Sequence, residues 1–436
     1  MAIPRADAAL LLRRAGFGGT LAEIDDLATA ATWADAVERV LDTSAAPPVV
    51  PPAELTDPAK DAYTRWVACT QWWIERMRTT PAPIVEKLTL FWHGHFASST
   101  DKVPIELLFD QIDLYRQRAL GDFHDLAQAM AVHPAMLVYL DNATNVAGVE
   151  NENFARELME MFTMGNHTFG EADVIAMARA WTGHGLDRAG TSYEFHPDRH
   201  DAGDKTLFGI TRAWNGPETI TEIIRGSKRF VSARFIAAEL WSFLATPDPS
   251  ATIVADLAKA FGAARQDLKA LVRAIFLHPE FRSPAVRGGL VRSPIEWIVL
   301  ILRSLGISAA DAHPDWFVGA MGHVPFAPPN VSGWKPNAYW ISTSGLWARG
   351  SFAGYVRWLA TDDSGPYRLF ADLPAKTPAE IAGTLLATFG IESPSPRTRT
   401  IVTNWANGLK QPGAPSWSIR PNGIPLVALS PEALLA

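Results

Sequence analysis

The strongest constraint in this chain is a helical period that restarts repeatedly between proline-rich breaks. Thr20-Leu21-Ala22-Glu23 forms a capping box ahead of Ile24, Leu27 and Ala30, and Gly18-Gly19 separates that helix from the one before. Pro47, Pro48, Pro51 and Pro52 interrupt the pattern, so residues 45–57 read as a loop between an N-terminal helical unit, 1–45, and the main body. Helical spacing resumes over 58–79, 82–93, 103–119, 150–164, 171–182, 230–245, 251–262, 266–278, 293–305 and 378–389. Tyr193-Glu194-Phe195 and Thr206-Leu207-Phe208 instead alternate polar and apolar around turn residues, which predicts one short hairpin near 193–208. The expected fold is therefore mainly α, a large multi-helix single body over 58–408. The N-terminal unit packs on it through Leu11, Leu12 and Phe17. A small β-hairpin insertion, a long ordered Pro- and Trp-rich loop over 322–344 and a C-terminal extension at 409–436 complete it.

Composition removes several classes of function. Hydrophobic residues make up 48% of the 436 and charged residues 19%, which suits a large buried core. A balance of 39 basic against 46 acidic side chains leaves a net charge of −7 and no broad basic field for nucleic acid. Cys69 is the single cysteine, which excludes an internal disulfide and a cysteine-rich metal site. No apolar run is long enough to insert across a membrane. The N-terminus lacks a basic segment leading into an apolar one, so the expected location is the cytoplasm, or outside it if a signal has been trimmed.

Four segments could carry chemistry. In Phe91-Trp92-His93-Gly94-His95-Phe96 two histidines flank a glycine, and neutral imidazole is the commonest metal ligand. At about 100° per residue the two rings diverge on a continuous helix. Both face one metal only if the helix ends near Gly94. Otherwise one ring is core and the other surface or cap. The second segment, 150–162, sets Asn153, Arg156, Glu157 and Glu160 on one helical stripe, either a ligand-binding face or solvated decoration. The third, His196 to Thr206, crowds His200, Asp201 and Lys205 into a turn that could supply metal ligands, an acid/base pair or an anion clamp, or could be a solvated tip. The fourth, Pro325 to Trp334, holds Asn330 and Trp334 on a rigid loop that could line a pocket or simply pack onto the body.

Together with Leu11-Leu12-Arg13-Arg14-Ala15-Gly16-Phe17-Gly18, Ala178-Arg179-Ala180-Trp181-Thr182-Gly183 and Arg292-Ser293-Pro294-Ile295-Glu296, these segments resemble the bacterial domain-of-unknown-function 1800 family in content and order. The resemblance runs from about residue 7 to 355 and implies a shared fold and a shared site, with no established substrate. Relative to the family pattern, Leu10 replaces a histidine, His184 a tryptophan and His323 a glutamine. A ligand role for the opening histidine is thereby lost, while His184 and His323 become new candidates.

The leading expectation is a metal-dependent, hydrolytic enzyme with a His/carboxylate site between helices. His93, His95, His200 and Glu157 would bind a divalent transition metal, zinc or iron. Glu157, Glu160, Asp201 and Lys205 would do the catalytic work, and Asn153, Arg156, His184, Asn330 and Trp334 would hold a small-molecule or glycan substrate. The alternatives are a non-catalytic protein that binds a glycan or another protein, a non-haem iron oxidase, and an isoprenoid-type cyclase.

Overall fold

Most helices begin where the sequence supplies a cap. Thr20 with Glu23, Thr32 with Asp35, Ser293 with Glu296 and Thr377 with Glu380 form reciprocal capping boxes that satisfy the first free N–H groups of their helices. The computed structural model describes residues 2–263, 265–361, 373–411 and 422–436. These residues fold into a mainly helical body with two small two-stranded antiparallel sheets.

The centre of the body is the helix Pro83–His95, buried on every side over Ile84 to His93. Its polar residues must therefore find partners inside. Glu86 accepts from Arg76 Nε at 2.6 Å, Arg116 Nε at 2.7 Å and Trp73 Nε1 at 2.9 Å. Lys87 pairs with Glu296 on the buried helix Pro294–Leu305. Thr89 Oγ1 donates to the Val85 carbonyl at 2.8 Å. Each bond ties the central helix to a neighbour or to itself, so polar and apolar burial point to the same register.

The N-terminal helices join this core. Leu10, Leu11 and Phe17 are buried, and Trp33 Nε1 donates to the Phe276 carbonyl at 2.8 Å. The stretch 409–436 is more than a surface wrap: Ile424, Val427 and Ala428 are buried, and Trp297 Nε1 reaches the Ala428 carbonyl at 2.8 Å. Residues 412–421 of that stretch lie outside the described residues.

Two expectations are corrected. Tyr193–Phe195 pairs with His184–Leu186, and Lys205–Leu207 with Ile210–Arg212, so there are two hairpins where the sequence suggested one. The nearer partners win because tight turns sit between them. Asp187 accepts from the Thr191 and Ser192 N–H groups in the first, and Phe208 and Gly209 both adopt positive φ in the second. The 150–164 segment is not one α-helix: Asn153–Glu157 is α, and Leu158–Thr163 widens into π turns, with Met164 N–H donating to the Met159 carbonyl at 2.9 Å.

The loop over 322–342 lies against the end of the central helix. Phe326 is buried and held at a φ of 64°. Gly333 has a φ of 68°, and a Cβ there would run into the Gly94 carbonyl. Glycine is required at 333 for both reasons.

Candidate functional site

Helix Pro83–His95 does not break at Gly94. The Phe96 N–H still donates to the Trp92 carbonyl at 2.8 Å, so helical phase sends His93 and His95 to different sides. The Phe326 N–H donates to His93 Nε2 at 3.0 Å, which puts the proton of this neutral ring on Nδ1, buried without a partner. Burial lowers His93 to about 3 and His95 to about 4, so both rings are neutral at pH 7. His95 has the opposite tautomer. Its Nε2 donates to the Phe162 carbonyl, 2.9 Å away, leaving the Nδ1 lone pair without a partner among the described residues.

His95 opens on a cavity of about 360 Å3. Glu160 reaches it from the π turns, and Glu239 from the helix Arg229–Leu244. Neither carboxylate has a cationic or hydrogen-bonding partner among the described residues. Burial raises the Glu239 carboxyl even though much of its surface is accessible, because the carboxyl stands in a half-open cavity with protein around it. Phe91, Phe235 and Phe243 give the cavity an apolar waist.

The far end is built by Ser293 and Glu296 at the start of helix Pro294–Leu305 and by His323, Trp334 and Trp340 of the loop. Burial would raise Glu296, but Lys87 beside it and the Ser293 N–H outweigh this and hold it at about 2. Burial lowers His323 to about 3.

A family profile matches residues 10–435, nearly the whole chain. The chain belongs to the DUF1800 family, described as proteins of unknown function. No curated protein and no solved structure matches it. Four of the segments that carry the DUF1800 resemblance converge on the cavity, through Gly94-His95, Glu160, Ser293 with Glu296, and Ser332 with Trp334.

Of the residues singled out from sequence, His95, Glu160, His323 and Trp334 line the cavity, and the others lie outside its lining. Glu157 is half-buried outside the lining, its carboxyl raised by burial and then by Glu160. Arg156 pairs with Glu152 and Glu171. Asn153 is exposed beside Asn151, and Asn330 is exposed and accepts from Ser332 within its own loop. His184 is buried between Tyr193 Oη at 2.9 Å and Asn215 Oδ1 at 2.7 Å.

The hairpin turn is occupied by its own packing. Asp201 pairs with Arg179 at 2.6 Å, and His200 Nδ1 donates to the Thr182 carbonyl at 2.9 Å. Lys205 is buried and donates to the carbonyls of Asp201, Gly203 and Trp214. The expected His93–His95–His200–Glu157 grouping is therefore not assembled. Among the described residues the one His/carboxylate trio with donor atoms within 4.8 Å of each other is Asp122, His124 and Asp125. Arg225 already pairs with Asp122 there, at 2.7 Å.

Glu239 is the residue sequence reasoning missed. Its signal is faint: a single carboxylate on the otherwise apolar i, i+4 row Phe235, Glu239, Phe243 of its helix.

Proposed function

We propose that this cavity is the active site of a metal-dependent hydrolase, with a divalent transition metal, zinc or iron, taken up by His95, Glu160 and Glu239. The observation that carries the reading is the tautomer of His95. A ring whose Nε2–H is fixed on a backbone carbonyl presents its Nδ1 lone pair outward, the arrangement that orients metal-ligating histidines. Two carboxylates without partners face the same space, so the cavity end has negative charge to spare for a cation. The three donors stand wider apart than a coordination sphere, and the long Glu160 and Glu239 side chains would close on the ion by rotating about their χ angles. A cation there supplies a polarised water at neutral pH. The apolar waist excludes bulk water and holds the body of a small substrate.

The test is metal content and hydrolysis together. Protein prepared without chelator or metal-affinity tag is expected to carry close to one equivalent of transition metal, and His95→Ala and Glu239→Gln to lose most of it. Hydrolysis of chromogenic esters and phosphate esters is expected to fall with it. Wild-type protein that takes up no added Zn²⁺, Fe²⁺ or Mn²⁺ defeats the reading.

Exposed aromatic side chains favour a second, non-catalytic reading, in which the protein grips a glycan. Trp347 is 71% exposed and Trp316 59%, an unusual cost for large rings unless a partner covers them. Retention by a soluble polysaccharide that is lost in Trp347→Ala, with no metal uptake, would replace the first reading by this one.

A further inference from the structure

We infer that the far end of the cavity, at Ser293 and His323, binds an oxyanion of the substrate, a carboxylate or a phosphate. This names the substrate class of the active site proposed above and rests on that reading for its chemistry, though the anion site itself stands on separate observations.

The first is charge. Lys87, Arg14, Arg292 and Arg349 are all buried around the single carboxylate of Glu296. Glu296 is already paired with Lys87. The three arginines spend their donors on backbone carbonyls: Arg14 on Val286, Arg292 on Glu432, Ala433 and Leu435, and Arg349 on Trp340 and Arg292. Among the described residues none of the three meets a carboxylate within 4.0 Å. None of the four cations lines the cavity, and the charged residue that does line this end is Glu296. Carbonyl caps satisfy geometry but do not neutralise a cation, so the protein behind this end holds a surplus of positive charge. Arg14 Nε and Nη1 and Arg349 Nε have no hydrogen-bond partner among the described residues.

The second is His323. It is 4% exposed, lines the cavity, and sits between Trp334 at 4.5 Å and Trp340 at 5.0 Å. Neither ring nitrogen has a partner among the described residues, and Nδ1 is sealed from solvent. With Nδ1 sealed, Nε2 is the ring atom left to meet a ligand, and it donates to an acceptor when the neutral ring carries its proton there. Its neighbour in the lining, Ser293, is the N-cap of the helix Pro294–Leu305, an end already capped by Glu296, so the anion site rests on the buried cations and His323 and not on the helix terminus. The two ends of the cavity thus differ in what balances their carboxylates: Glu160 and Glu239 have no cation beside them, whereas Glu296 is outnumbered by the buried cations around it. The carboxylate end with His95 suits a cation, and the Ser293–His323 end suits an anion, with the Phe91 and Phe243 rings between them.

The experiment uses the full chain stripped of divalent cations. Inorganic phosphate, sulfate and acetate are titrated against chloride at equal ionic strength, read by thermal denaturation and calorimetry. A saturable stabilisation in the millimolar range by the oxyanions, absent with chloride, is expected. Arg349→Gln should weaken phosphate binding and Glu296→Gln should strengthen it, each roughly five-fold, since one removes a cation and the other a like charge. Opposite signs separate electrostatics from damage to the fold, because a merely damaged site only weakens. Should Arg349→Gln fail to fold, Glu296→Gln decides alone. Absence of saturable oxyanion binding by the wild type, or weakening by Glu296→Gln, overturns the inference. Anion binding without cation uptake removes the metal reading and leaves this one standing, and the converse result removes only this one.

Discussion

Replacing His323 by glutamine should flatten the acid side of the stability profile. The imidazole is held neutral inside the protein, with a pKa of about 3 against an ordinary value of 6.5, because burial disfavours its charged form. The carboxylate of Glu296 acts the other way, and the Arg349 guanidinium adds to the depression. The unfolded chain therefore binds a proton that the folded one refuses. Stability is fully present above pH 6.5 and is lost progressively as the pH falls from there toward 3. Between pH 7 and pH 5 this single ring accounts for about 2 kcal/mol. Glutamine cannot titrate, yet it offers a donor and an acceptor of similar reach. Urea unfolding of wild type and His323→Gln at the two pH values measures the difference. The variant should lose about 2 kcal/mol less than wild type on going to pH 5. Equal losses in the two proteins would refute the reasoning, since they would mean that His323 protonates in place at little cost.

Three further outcomes follow from the packing. Glu86→Gln leaves Arg76 and Arg116 facing a neutral group in the core and should destabilise by about 3 kcal/mol in thermal or urea unfolding; a loss under about 1 kcal/mol would show that the guanidiniums find water instead. Lys205→Met removes the donor for three carbonyls and should cost about 2 kcal/mol while leaving cation uptake unchanged, because the hairpin is apart from the cavity lining. A selective loss of cation binding in that variant would bring the hairpin back into the site. Gly333→Ala combines a left-handed backbone with a collision at the Gly94 carbonyl, so it should release the loop. Limited proteolysis near residues 325–340 should then speed up by an order of magnitude or more, and an unchanged rate would contradict the close approach.

The helices were legible because their caps are written locally, as at Thr20, Ser293 and Thr377, and because apolar spacing needs no knowledge of the partner. The site was legible only in part. Helical phase alone indicated that His93 and His95 diverge on a continuous helix, but Gly94 suggested a break. The helix instead runs through it, and the close crossing of the loop at its carbonyl sets a requirement for glycine at 333, not at 94. In the 150–160 stripe a regular helix gives Glu157 and Glu160 neighbouring directions, and nothing in Leu158–Thr163 announces the π turns that accompany the delivery of Glu160 to the cavity. The polar density of His196 to Thr206 looked like chemistry because composition does not reveal whether groups face each other. Asp201 and Lys205 turn out to satisfy their own turn and its support. Glu239 was hidden for the opposite reason, as a lone charge whose meaning depends on residues from three other segments.

The two anchor points of the 322–342 loop limit which parts of it can move. The Phe326 N–H is held by His93, and Gly333 is wedged against Gly94, so both grips are on the helix that also bears His95. Between those grips the loop behaves as part of the scaffold. Beyond them, Trp334 to Trp340 cover the Ser293–His323 end and are held by contacts outside the central helix as well, Asn337 accepting from the Val291 N–H and the Trp340 carbonyl from Arg349. Insertions or exchanges after Gly333 would therefore reshape the Ser293–His323 end of the cavity while leaving the two grips beside His95 in place. On the function proposed above, one stretch of chain could be retuned for new substrates while the central helix kept its place.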